Sequence, residues 1–483
     1  MTRDPNGGPT LPRPARWWMV GVVAAIVLLA VAGVVIFVTG RSTSDGAPTF
    51  QRGDWQPPKQ AVIASSMRER PIPGWSTRVT GLRLPDSAIV GTADEPVHSD
   101  PFVGAVGSSG YFLASSPGTP DRQWWLIGLD VRTGNQLFSP VSIDAGSRYP
   151  NCFVNGPEFV LCLADAVHGY TTETTAWVID TRTGDLVFNG PTELHTTPGS
   201  GVTVVQVGIY AVAHLEDQGI YGVGPRADTT WSVPDVGVTR TQWSGDSTPS
   251  TLAAARDSAP GSDRMVVFSL VDGKTITPDL GEGRAPQTAV TYPGGFAIQA
   301  VTATHSSTPD KLMFFDEAGN PVGEKEVSGN LSTISAVLPV VEGLPSSTVF
   351  GAKGAGLIQF PDQQLGQNGR VIGHRLYAPE SNWEGPVKVR RWHQFDLTTG
   401  EEGKTCRPNM SGYVANDGDV GVFETDRNEV TGATVFAMDL TTCEKLWTIP
   451  VNPDSFHRLW RMDDTLVELS DDGKELHSLV APR

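Results

Sequence analysis

The chain has 483 residues, of which 39% are hydrophobic and 18% charged, a balance that supports a buried core and excludes a wholly disordered protein. Its formal net charge of −17 repels nucleic acid and anionic lipid headgroups on average. With 53 Gly and 37 Pro, the sequence calls for many tight turns.

Residues 1–16 form a polar, Pro-rich tail in which Arg3, Arg13 and Arg16 outweigh Asp4. Residues 17–39 then run without a charge, which is long enough to cross a hydrocarbon core of about 30 Å. Trp17 and Trp18 stand where an interfacial aromatic belt belongs, and the Arg excess before the span puts the N-terminus in the cytoplasm. Ala30-Val31-Ala32 has the form of a signal-peptide cleavage site, but the apolar run continues through Val38, which favours an uncleaved transmembrane helix. No Cys lies near the span, so a lipoprotein anchor is excluded. Residues 40–70 read as an extracytoplasmic linker of Ser, Thr, Pro, Gln and charges, and residues 71–483 as the folded domain.

Within that domain one phrase recurs: an apolar strand, Asp, two residues, Thr and Gly, then a second strand. It occurs at Leu126–Gly134 with Asp130 and Gly134, at Ala176–Gly184 with Asp180 and Gly184, and at His393–Gly400 with Asp396 and Gly400. A fourth copy, Val435–Cys443, has Asp439 but places Cys443 where Gly is expected. The Asp is expected to accept hydrogen bonds from backbone N–H groups ahead of it, and the Gly to supply the positive φ of a bulged hairpin turn. The second strand often carries a large aromatic (Phe138, Phe188, Trp447) able to bury roughly 150–250 Å² against a neighbouring sheet. Recurrence at 43 to 50 residues is the spacing of propeller blades.

The run apolar–Asp–x–x–Thr–Gly–x–x–Leu–Trp/Phe resembles the repeat of the PQQ-like (quinoprotein alcohol dehydrogenase-like) β-propellers, a group that includes BamB-type proteins and actinobacterial membrane-anchored propellers. The resemblance covers roughly Pro71 to Arg483 and implies an all-β domain of four-stranded antiparallel blades. Eight blades are counted, with seven as the alternative, and 331–408 is taken as one blade carrying a Gly- and Gln-rich inserted loop at 354–369. In such propellers the N-terminal strand commonly completes the last blade, so the run from Trp75 to Leu84 is expected to pair with Glu475–Val480.

Four Cys allow three pairings. Cys152 and Cys162 flank a hairpin centred on Asn155-Gly156-Pro157 and fall opposite each other, within bridging distance. Cys406 and Cys443 belong to adjacent blades and form the second expected pair, with four free thiols as the alternative. Outside the cytoplasm such bonds persist.

No catalytic, cofactor-binding or metal-binding residues are assigned. The nine His lack ligand spacing, and Gly245-Asp246-Ser247 lacks the Gly that an oxyanion hole needs. Asn416–Asp419 and Asp463-Asp464 read as turns rather than calcium loops. The quinoprotein resemblance implies a quinone held under a Cys-Cys disulfide, and this chain has no adjacent Cys pair, so no cofactor is expected. Trp383, Lys388, Arg390, Arg391 and Trp392 form a local basic and aromatic patch suited to a protein partner. The expected function is that of a non-catalytic scaffold, held at the cell membrane by one helix, with its propeller outside and binding protein partners or envelope material. The alternatives are an enzyme with its site in the propeller channel, a quinone-dependent dehydrogenase or a hydrolase, or a sensor of small ligands or glycans.

Overall fold

A computed structural model describes residues 55–92, 100–118, 122–168, 171–197, 199, 201–215, 218–234, 250–256, 265–302, 309–361, 365–384, 387–425, 433–452 and 455–483. The expected membrane helix at 17–39 lies outside these residues, as does Gly245-Asp246-Ser247. Among the described residues no helix is long and apolar enough to cross a membrane.

The described strands form nine separate antiparallel-based sheets. Blade 1 is built on Phe102–Val106, Ser109–Ser115, Trp124–Asp130 and Val141–Ile143, and blade 2 on Asn151–Asn155, Phe159–His168, Thr171–Asp180 and Leu186–Thr192. Blade 3 spans 194–234, and blade 4 comprises Leu252–Arg256, Met265–Ser269 and Thr275–Ile276. Blades 5 and 6 cover 284–327 and 330–360; blades 7 and 8 cover 370–406 and 413–451. Blade 9 takes Arg458–Met462, Thr465–Leu469 and Glu475–Val480 from the C-terminus and its outer strand, Ile72–Arg78, from the N-terminal side.

The ring closes through this shared blade. Ile72 pairs with Val480 and Arg78 with Glu475, while Val79, Leu82 and Leu84 turn away into the core. Nine apolar clusters fill the junctions between neighbouring blades, and one of them joins blade 9 (Trp460, Val467, Leu476) to blade 1 (Phe112, Ile127, Leu129). A cluster at every junction, including the last with the first, is what a closed ring of blades requires.

Nine blades correct the expected eight or seven. The error lies in 331–408, which is two blades rather than one. The Gly- and Gln-rich stretch is no insertion: it supplies the turn after Ser347–Phe350, the outer strand Gly356–Phe360 of blade 6, and the short helix Leu365–Asn368 leading to blade 7. Blade 6 escaped detection because its outer turn, Gly351–Ala355, carries no Asp-x-x-Thr-Gly phrase.

Residues 55–70, read as linker, are bound to the disc. Gln60 donates to the Val371 carbonyl and accepts from Gly373 N in blade 7, Ile63 N donates to the Asn416 carbonyl in blade 8, and Ala64 N to the Asp464 carbonyl in blade 9. Ile63 and Met67 are buried in the core between blades 8 and 9. The segment is therefore a strap across the inner-turn side of three successive blades.

Candidate functional site

The recurring phrase is a latch between blades. Asp130 Oδ1 accepts from Arg132 N and Thr133 N at 3.1 and 3.0 Å, and Asp180, Asp396 and Asp439 repeat the pattern at 2.8–3.1 Å. Those bonds hold the carboxylates of Asp180, Asp396 and Asp439 below the usual range; at Asp396 and Asp439 burial opposes the shift and the hydrogen bonds outweigh it. Gly134, Gly184 and Gly400 have φ of 72°, 74° and 77°, the left-handed region that the turn demands. The aromatic of one blade then lies on the glycine of the next. Trp75 covers Gly134, Phe138 covers Gly184 and Trp231 covers Gly273, so closely that a Cβ at those glycines would sit 2.5–2.7 Å from the ring atoms.

Both expected disulfides form, with Cα separations of 4.0 Å for Cys152–Cys162 and 5.1 Å for Cys406–Cys443. The first is a cross-strand pair inside blade 2. The second joins the outer strand of blade 7 to the turn of blade 8. Cys443 takes the glycine's place with φ of 60°, and the sulfur bridge stands where the junctions at Gly134, Gly184 and Gly273 use a ring on a glycine.

Acidic turns that the sequence left as simple turns hold the structure together. Asp417 Oδ1 accepts from Asp419 N and Val420 N, and its Oδ2 accepts from Met67 N of the strap at 2.6 Å. Asp463 and Asp464 take Arg132 of blade 1 at 2.5 and 3.3 Å across the closing junction. In blade 9, Glu468 accepts from His457 Nε2 at 2.6 Å and His477 Nε2 at 2.5 Å. Burial alone would raise the Glu468 pKa, but the two imidazole bonds more than offset it and hold it at about 2. Sequence reading missed this triad because its members share no spacing motif. They meet only through the pairing of Glu468 with His477 and the chain's entry at His457. Among the described residues no group of three or more His, Cys, Asp or Glu is arranged to hold a metal ion.

The basic and aromatic patch is only partly assembled as expected. Trp392 is a core residue, 1% exposed, packed with Tyr377 and Phe423 between blades 7 and 8, so it belongs to no surface. A ring at that position faces the junction because Trp392 pairs with Cys406 and Pro379 in the sheet interior. Arg390 is exposed above it, 5.6 Å from the Trp392 ring, and donates to Ser411 Oγ and Asn368 Oδ1. Arg391 is half-buried. Trp383 and Lys388 pair in backbone register near the tip of the hairpin, and their side chains lie outside the described residues. A separate cleft of about 540 Å³ opens between blades 2 and 3, lined by Phe188, Leu194, Leu215 and Tyr221 with Arg226 and Asp228 at its rim.

Nine antiparallel-based sheets, closed by a blade made from both ends of the domain, define a nine-bladed β-propeller. The chain belongs to the family described as the conjugation-associated 9-bladed beta-propeller domain, whose model matches residues 47–482. An uncharacterised protein of Mycolicibacterium smegmatis (strain MKD8) is 58% identical over 484 residues, covering 100% of both chains. Among solved structures, BamB from Moraxella catarrhalis is 10% identical with a TM-score of 0.32, covering 85% of this chain and 100% of its own. A eukaryotic initiation factor is 11% identical with a TM-score of 0.44, covering 73% of this chain and 89% of its own. Scores at that level carry no argument. The PQQ-like resemblance thus leads to the right architecture, a β-propeller, and the family is the nine-bladed one.

Proposed function

We propose that this protein is an extracytoplasmic nine-bladed propeller, tethered to the cell membrane by residues 17–39, that serves as a non-catalytic scaffold within a conjugation-associated assembly of the envelope. The observation that carries the reading is the family match over residues 47–482. Two further features support it. Residues 17–39 are uncharged and long enough to span a bilayer. All four Cys are engaged in disulfides, which persist outside the cytoplasm. A disc of nine blades offers partners a rigid rim, because each blade is packed against two neighbours. The test is cross-linking and affinity capture of the full chain from intact cells, beside a version lacking residues 17–39. Envelope partners recovered with the full chain and lost with the deletion support the reading. Equal recovery of cytoplasmic proteins by both versions overturns it.

A further inference from the structure

We infer that blade 7 presents a basic docking surface, at the outer side of its tall hairpin, for an acidic segment of a partner protein. This deepens the scaffold reading and rests on it only for the identity of the partner. The first observation is charge. The chain carries −17 overall, yet residues 370–408 hold seven Lys and Arg against five Asp and Glu, and every other blade is neutral or negative. The second is shape. The two central strands of blade 7, Arg375–Glu384 and Val387–Asp396, are ten residues each, a length shared only with the central strands of blade 2 among the described strands. Ten residues at the rise of an extended strand make a hairpin about 33 Å long.

The third observation is how the cations are held. Arg390 is exposed, and its guanidinium donates to two neutral oxygens, Ser411 Oγ at 3.1 Å and Asn368 Oδ1 at 3.2 Å, while lying over the Trp392 ring. These contacts fix its direction and leave its charge uncompensated by them. Lys404 and Arg407 are exposed on the neighbouring outer strand and just beyond it. Blade 7 is also fastened to blade 8 by the Cys406–Cys443 bridge and by Tyr377 Oη donating to the Leu440 carbonyl, so the surface is presented on a fixed base. A pre-positioned guanidinium loses little freedom when it meets a carboxylate, which favours recognition of Asp and Glu side chains.

The experiment measures binding of the full chain to fluorescent poly-L-glutamate by anisotropy, at low and physiological salt, with oligo-dT as a second anionic probe. Two triple variants are compared: Arg390→Gln/Lys404→Gln/Arg407→Gln, and a control of equal charge change on the turn side, Arg182→Gln/Arg226→Gln/Lys274→Gln. The inference expects poly-L-glutamate to bind the wild type, to weaken about tenfold in the blade 7 variant and less than about twofold in the control, with the wild-type affinity falling as salt rises. Equal weakening in both variants, no binding by the wild type, or tighter binding of oligo-dT than of poly-L-glutamate overturns it. Capture from cells with the blade 7 variant separates the two readings. Envelope partners retained despite the variant leave the scaffold intact and remove this surface. Poly-L-glutamate binding with no envelope partner leaves the surface and removes the scaffold.

Discussion

Gly184→Ala tests whether the ring-on-glycine latch holds the blades together. Gly184 has φ of 74°, where an L-residue costs about 1–2 kcal/mol. The new Cβ would lie 2.7 Å from Cβ, Cγ and Cδ2 of Phe138, a side chain only 7% exposed in the core of blades 1 and 2. Overpacking of that kind costs about 1–3 kcal/mol, so the full effect is about 2–5 kcal/mol. Urea unfolding of the full chain, followed by tryptophan fluorescence, reads it as a lowered midpoint. A second background divides the two terms. In Phe138→Ala, itself expected to cost about 3–5 kcal/mol, the ring contacts disappear while the 2.7 Å contact with the Cβ of residue 138 remains, so Gly184→Ala should cost less than in the wild type but more than the backbone share of about 1–2 kcal/mol. A cost within about 0.5 kcal/mol of zero in the wild type would refute the latch. So would an equal cost in both backgrounds, since the ring would then be irrelevant.

Three other outcomes follow from the same structure. The folded pKa of Glu468, about 2, lies below its ordinary 4.5, so its stabilisation is present above about pH 4.5 and is lost as pH falls toward about 2. Glu468→Gln should therefore lower stability by up to ~3 kcal/mol at pH 7 and by less at pH 3; a constant difference across that range in urea titrations would sink the assignment. Replacing Cys406 and Cys443 together by Ser opens a loop of 37 residues and should cost about 3–4 kcal/mol by chain entropy, read as a shift between the two proteins in the same non-reducing urea series. Met67→Ala removes a fully buried strap residue and should cost about 2–5 kcal/mol, whereas Arg68→Ala, whose ion pair with Asp439 is more than half exposed on the Arg side, should cost at most about 1 kcal/mol; comparable losses would mean that the strap is held by charge rather than by burial.

The sequence made the ring visible wherever the turn phrase is intact, because Asp-x-x-Thr-Gly encodes both the acceptor and the positive φ of a local hairpin. Cys152 and Cys162 were legible for the same reason, being fixed by one tight turn. Two long-range pairings were legible as well, the closure on Glu475–Val480 and the Cys406–Cys443 bridge, but others were not. Blade 6 uses Gly351–Ala355 in place of the phrase, so a period of one blade vanished into its neighbour. The strap has no periodicity of its own, since Gln60 binds blade 7, Ile63 and Met67 bind blade 8 and Ala64 binds blade 9. Trp392 looked like part of a surface patch because Lys388, Arg390 and Arg391 precede it. Strand alternation and the pairing with Cys406 put it inside.

The one covalent latch stands where the ring-on-glycine contact cannot be made. The outer strand of blade 7, Glu402–Cys406, contains no aromatic residue and is exposed over its first four positions. It has nothing to lay on the turn of blade 8, and that turn has Cys443 rather than Gly. A bridge at this junction supplies a connection that blades 9, 1 and 3 obtain by laying a ring on the next turn. It also lets the outer strand keep Lys404, and Arg407 just beyond, in solvent, since the junction no longer depends on an apolar side chain from that strand. Electrostatics point the same way. Blade 8 is among the most acidic parts of the chain, with Asp417, Asp419, Asp439 and Glu444 at its turns, and blade 7 is the one with a positive balance. Attraction between them adds to the bridge, but at exposed positions it is worth little and fades with salt. A covalent tie does not fade, so blade 7 stays fastened to blade 8 at ionic strengths where the charges alone would contribute almost nothing.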